Sequence, residues 1–148
     1  MSHEIPERKK PADDSGYLEE LTRAIFQAGF SWRVIRDKWP NFQQAFDGFD
    51  VETVAGYGEP DIERLVADAG IVRNRRKIEA TVHNARTVWE LSQEHGTFHA
   101  YLRSLDSMDY AGRREELSKR FKNLGPTGVF VFLWSVDEEV PDWEDRNK

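Results

Sequence analysis

Leu124-Gly125-Pro126-Thr127-Gly128-Val129-Phe130-Val131-Phe132-Leu133-Trp134 is the stretch on which the fold turns. Its β-branched and aromatic residues suit a buried strand on propensity alone. No second strand is available to pair with it, and Pro126 suits the first turn of a helix. The segment therefore reads as an apolar helix over 127–134. Upstream lies a basic amphipathic helix over 111–122, so two helices meet at a glycine hairpin. Gly125 permits close backbone approach or a positive φ. The free amides at the start of the second helix, aided by its dipole, form an anion site. Lys119, Lys122, Gly128 and the Thr127 hydroxyl are near enough in sequence to help hold a phosphate. Such a hairpin can grip a DNA backbone without reading bases.

The rest of the chain reads as helical too. From Tyr17, the residues Leu18, Leu21, Ile25 and Ala28 recur at helical spacing, and Gly29 stops that helix. Ser31 caps a second helix, expected to end at Lys38 ahead of Pro40. Phe42 and Phe46 suggest a short third helix, and Asp50 caps a fourth. Pro60 and Asp61 open a helix to Ala69, which Gly70 closes. Asn74 caps the longest helix, to about Glu94, with Ile78, Val82, Ala85 and Trp89 as its inward stripe. Thr97 caps one more. The expected architecture is a single all-α domain over 17–142. A flexible polar lead-in is expected before it at 1–16, and an acidic tail after it at 143–148.

Composition narrows the function classes. The chain has 148 residues, 39% of them hydrophobic and 12% aromatic, so it is too rich in aromatics for a disordered chain. No apolar run is long enough to cross a membrane, and no apolar leader is visible. There is no cysteine, which excludes disulfides, a thiol nucleophile and cysteine-ligated zinc. His95 and His99 are four apart but interrupted by Gly96, so no metal is expected. The net charge is −6, carried mostly by the two termini. Between them Arg73, Arg75, Arg76, Lys77 and Arg86 stand against Glu79 alone. That balance leaves room for an anionic partner but argues against strong non-specific binding to nucleic acid.

Several motifs resemble the bacterial DNA-3-methyladenine glycosylase I family. They are Gln27-Ala28-Gly29-Phe30-Ser31-Trp32, Phe46-Asp47-Gly48-Phe49-Asp50, and the block from Asp61 through Arg75 to Asn84-Ala85. The resemblance covers roughly residues 17–136, and it makes the glycine hairpin that of a helix-hairpin-helix domain. It implies an all-α base-excision repair enzyme that extrudes a damaged base from duplex DNA and hydrolyses its N-glycosidic bond. Extrusion is physically required, because stacking hides the bond. The implied partner is duplex DNA containing a damaged base. A monomer without cofactor, in the cytoplasm with the nucleoid, is expected.

The same resemblance assigns residues. Gln27 and Trp32 fall in the base pocket. The family's pocket glutamate, three residues before the matched Gln27, is Ala24 here. Its zinc site and its N-terminal pocket segment have no counterpart. Glu20 lies one helical turn before Ala24 on the same face and can supply a carboxylate. Val140-Pro141-Asp142 resembles the superfamily position of a catalytic aspartate, which would stabilise an oxocarbenium-like sugar or orient water. Catalysis is thus expected from Asp142 and Glu20, and DNA contacts from the hairpin and from Arg73, Arg75, Arg76 and Lys77. Thr127 stands where members with lyase activity carry a lysine; it cannot form a Schiff base, so the activity is expected to be monofunctional. Two other readings stay open: a helix-hairpin-helix module that binds DNA without catalysis, and a helical protein-interaction domain.

Overall fold

The helix starts marked by capping residues are capped in the computed structural model, which describes residues 8–148. Ser31 accepts from the Val34 amide, Asp50 from Thr53, Asn74 from Lys77 and Thr97 from Ala100. Among the described residues eight α-helices result: α1 (Asp14–Gln27), α2 (Trp32–Ala45), α3 (Val51–Ala55), α4 (Glu59–Val66), α5 (Arg75–His95), α6 (Phe98–Arg103), α7 (Tyr110–Arg120) and α8 (Pro126–Ser135). There is no strand among the described residues. The protein is all-α.

Helix α1 is the hub, packed against α8, α5 and α2, while α5 is lined by α3, α4 and α6. The core joins Leu18, Leu21 and Ile25 of α1, Ile78, Val82, Ala85 and Val88 of α5, and Val129, Phe132 and Leu133 of α8. Residues 128–133 of α8 are buried on every side, which explains a sequence apolar all the way round. Gly29 adopts φ +68°, the left-handed stop its position demands.

Three expectations are corrected. Pro40 lies inside α2 rather than beyond its end. A proline inside a helix costs about 3 kcal/mol or more. Here the helix is held by stacked rings: Trp39 on Phe42 at 4.8 Å, Trp39 on Phe49 at 5.4 Å and Phe46 on Phe49 at 5.4 Å. Each such pair adds about 0.5–1.5 kcal/mol beyond the apolar area it buries. Phe42 therefore belongs to α2, with Phe46 as its C-cap. Second, Trp89 is 38% exposed, and Val88 takes the core position beside it. Third, α1 begins at Asp14 rather than Tyr17, so its first turn replaces the end of the expected flexible lead-in, and α4 ends at Val66 rather than at Ala69 beside Gly70.

Both terminal segments are fastened to the body. The Lys9 amide donates to the Ser135 carbonyl at 3.0 Å, and the Arg8 guanidinium lies 4.3 Å over the Trp134 ring. Residues 1–7 of the expected lead-in lie outside the described residues. At the other end Arg114 donates to the carbonyls of Arg146 (3.0 Å) and Lys148 (2.9 Å).

Candidate functional site

The hairpin between α7 and α8 is held from below by one side chain. Asn84 of α5, fully buried, accepts from the Lys122 amide at 2.8 Å and donates to the Lys122 carbonyl at 3.1 Å. Phe121 and Leu124 plug the turn into the core. The left-handed residue of the turn is Asn123 (φ +60°), not Gly125, whose φ is −84°. What Gly125 offers is bare backbone, since a Cβ there would meet nothing within 4 Å. No side chain caps α8, and its first backbone bond runs from the Val129 amide to the Gly125 carbonyl at 2.9 Å. The amides of Thr127 and Gly128 therefore have no helical acceptor. Gly125 and Thr127 are exposed at this end and Gly128 is buried.

Lys119 and Lys122 are exposed beside the hairpin. A third cation comes from a stretch whose acidic average hides it. The Arg146 Nε donates to the Thr127 hydroxyl at 3.1 Å.

One to two turns further along α8 lies an aromatic cleft of about 240 Å³. Its walls are Trp32, Phe130, Val131, Trp134, Pro141, Asp142 and Trp143. Trp32 reaches it as the first residue of α2, set by the Gly29 turn and the Ser31 cap. Phe130 stacks on Trp134 at 6.4 Å and meets Trp143 nearly edge-on at 5.2 Å. Asp142 is exposed, and its carboxylate makes no hydrogen bond or ion pair among the described residues. A single unengaged carboxylate against a slot of indoles suits a flat, cationic aromatic ligand.

The structure thus brings Trp32 and Asp142 together, although 109 positions separate them in the sequence. Ala24 and Gln27 do not line this cleft; both are 3% exposed within α1. The Gln27 Oε1 is buried and finds no donor among the described residues. Glu20 also lies apart. Its carboxylate is forked by Arg23 at 3.1 and 3.2 Å, and Arg23 in turn stacks 4.4 Å over Trp39. Burial pushes the Glu20 carboxyl above its ordinary range, against the opposing pull of Arg23.

The basic run of 73–77 is divided in the same way. Arg75 is ringed by Glu59, Glu63 and Glu79. The Lys77 ammonium donates to the carbonyls of Phe26 (3.3 Å) and Ala28 (2.9 Å), closing the end of α1. Burial lowers its pKa. Arg73 and Arg76 remain exposed, with no ion pair among the described residues. Phe130, Trp134, Trp143, Arg146 and Asn84 were not marked by the sequence as parts of a site. The first two read as core of an apolar helix, and Trp143 and Arg146 as an acidic tail. Only the Asn84-Ala85 motif gave a signal, without a role.

The residues present do not fit the zinc site that the resemblance implies. The chain lacks its cysteine donors, and no group of three or more ligating side chains gathers among the described residues. Likewise no helix among the described residues is long and apolar enough to cross a membrane.

The methyladenine glycosylase family model matches residues 7–125. DNA-3-methyladenine glycosylase 1 of Escherichia coli (strain K12) is 46% identical over 67 residues, which is 45% of this chain and 36% of that protein. DNA-3-methyladenine glycosylase of Haemophilus influenzae is 36% identical over 78 residues, 52% of this chain and 42% of that protein. The matched stretches thus span about two fifths of these curated relatives. Among solved structures, 3-methyladenine DNA glycosylase I from Staphylococcus aureus superposes with a TM-score of 0.77 at 28% identity, covering 86% of this chain and 78% of that one. A variant of 3-methyladenine DNA glycosylase I in complex with 3-methyladenine gives a TM-score of 0.78 at 27% identity, covering 99% and 90%.

Proposed function

Because the chain belongs to the methyladenine glycosylase family, we propose that it is a monofunctional DNA glycosylase releasing an alkylated base of the 3-methyladenine type from duplex DNA. The observation that carries this reading is the convergence of Trp32 and Asp142 on one aromatic cleft, built on the helix whose start is the hairpin. The hairpin amides, Thr127, Lys119 and Lys122 hold the backbone of the damaged strand. The target nucleotide leaves the stack and its base enters the cleft.

The chemistry asks little of the protein. A methyl group on a purine ring nitrogen leaves the base positively charged while it is joined to the sugar. Indole faces favour such a cation. When the C1′–N bond breaks, its electron pair goes to the base, which departs neutral and needs no protonation. The positive charge passes to the sugar. The Asp142 carboxylate stabilises it and takes the proton from the water that adds to C1′. Water, not an amine, is the nucleophile, since the hairpin carries Thr127 in place of a lysine. The expected setting is the cytoplasm, on the nucleoid, as a monomer without cofactor.

The test is to incubate the protein with methylated duplex DNA and identify released bases by mass spectrometry, with Asp142→Asn in parallel. The wild type is expected to release a methylated base. The variant is expected to be about 10²- to 10⁴-fold slower with duplex binding intact. An undiminished rate in Asp142→Asn refutes the assignment. The second reading, a DNA-binding module without catalysis, is favoured by Ala24, a buried methyl where the family resemblance implies a pocket glutamate. Retained duplex binding with no release of any base would select it.

A further inference from the structure

We propose that Trp143 is the stacking wall for the extruded base and that Arg146 is the residue that positions it. This rests on the reading of the cleft as the base site.

Trp143 occupies a 3-10 turn, Trp143–Asp145, and is 42% exposed. Exposure alone marks no role, since Trp89 is 38% exposed on α5; what sets Trp143 apart is that its ring borders the aromatic cleft. This ring is kept at the cleft, held near edge-on by Phe130 at 5.2 Å. The Arg146 guanidinium lies 3.9 Å over the ring and donates to the Trp143 carbonyl at 2.8 Å. It is fixed in turn by Thr127 at 3.1 Å and, through its own carbonyl, by Arg114 at 3.0 Å. One side chain therefore touches both the indole and the start of α8. The ring is set in register with whatever phosphate the hairpin holds. The turn at 143–146 thus supplies an aromatic surface to the cleft.

The experiment is single-turnover base release from a duplex carrying 3-methyladenine, alongside binding of the unmodified duplex. Trp143→Leu keeps apolar bulk and removes the π-face; Trp143→Phe keeps a face. Trp143→Leu is expected to slow release about 5- to 160-fold, the range of one lost base–aromatic stack, with unmodified duplex bound within about twofold of wild type. Trp143→Phe recovers most of the rate. Arg146→Lys keeps duplex affinity, because the charge remains, yet slows release like Trp143→Leu, because an ammonium does not stack as a planar guanidinium does. Wild-type release by Trp143→Leu overturns the proposal, and so does full rescue of release by Arg146→Lys. Those outcomes leave the reading of the cleft standing. Absence of release by the wild type itself removes that reading, and the proposal with it.

Discussion

Replacing Asn84 by alanine removes both bonds that pin the hairpin to α5, the 2.8 Å bond from the Lys122 amide and the 3.1 Å bond to its carbonyl. A net contribution of about 1 kcal/mol per bond gives roughly 2 kcal/mol. The orphaned groups are the Lys122 main-chain amide and carbonyl, in part-buried bonds, so roughly 2 kcal/mol is the lower end of the loss. For a chain of this size that is a fall of about 4–8 °C in Tm. The functional effect is separable. Asn84 is buried and touches no phosphate, so duplex affinity should drop while its salt dependence keeps the same slope. Asn84→Asp sharpens the test. It keeps the size but sets a carboxylate against the Lys122 carbonyl, and should cost at least as much as alanine. Thermal unfolding and salt-dependent duplex titrations read all three proteins. A Tm within about 1 °C of wild type for Asn84→Ala, with unchanged affinity, refutes the clamp; stability restored by Asn84→Asp refutes the donor half of it.

Gly125→Ala should weaken duplex binding without lowering Tm, because the added methyl meets no protein atom and φ −84° is open to alanine; a destabilised protein would mark the glycine as structural. Lys77→Met should lower stability by about 1–2 kcal/mol through loss of the two bonds that cap α1, with no change in the salt slope of DNA binding. A reduced slope would return Lys77 to the DNA contacts. The Glu116 carboxylate accepts from Arg120 at 2.8 Å and from the Tyr101 hydroxyl at 3.1 Å, bonds that hold its pKa below 4.5. A carboxyl depressed in the folded state stabilises above its unfolded pKa, and that contribution is lost as pH falls through 4.5 toward the lowered value. Urea midpoints taken from pH 7 to pH 3 should therefore fall less steeply for Glu116→Gln than for wild type.

Much of the fold could be read in advance because its signals are local. Asn74, Thr97, Ser31 and Asp50 each cap the helix they precede, and the choice of helix for α8 needed only Pro126 and the want of a partner strand. The misjudged points depend on distant neighbours. Pro40 reads as a boundary because a proline's local cost is visible, while Phe49, which stacks on Trp39, comes ten residues after that tryptophan. Lys77 was counted with its basic neighbours. In the structure its ammonium donates to the carbonyls of Phe26 and Ala28, about fifty positions earlier. The site divided in the same manner. Trp32 and Asp142 are marked by motif, and both line one cleft. Trp143 and Arg146 were concealed by acidic neighbours that average over their contacts. Glu20 was placed near the pocket by helical phase, which carries no information about the Arg23 fork that occupies it.

The distribution of tryptophans gives the protein an optical gauge of its own. Three of the five, Trp32, Trp134 and Trp143, border the cleft, whereas Trp39 is buried beneath Arg23 and Trp89 faces solvent on α5. A planar base arriving among the first three quenches their emission by contact, and the other two supply a steady background. Replacing Trp39 and Trp89 by phenylalanine would leave a protein whose intrinsic fluorescence reports almost solely on occupancy of the cleft, so entry of a base could be timed separately from cleavage, without a label on either partner.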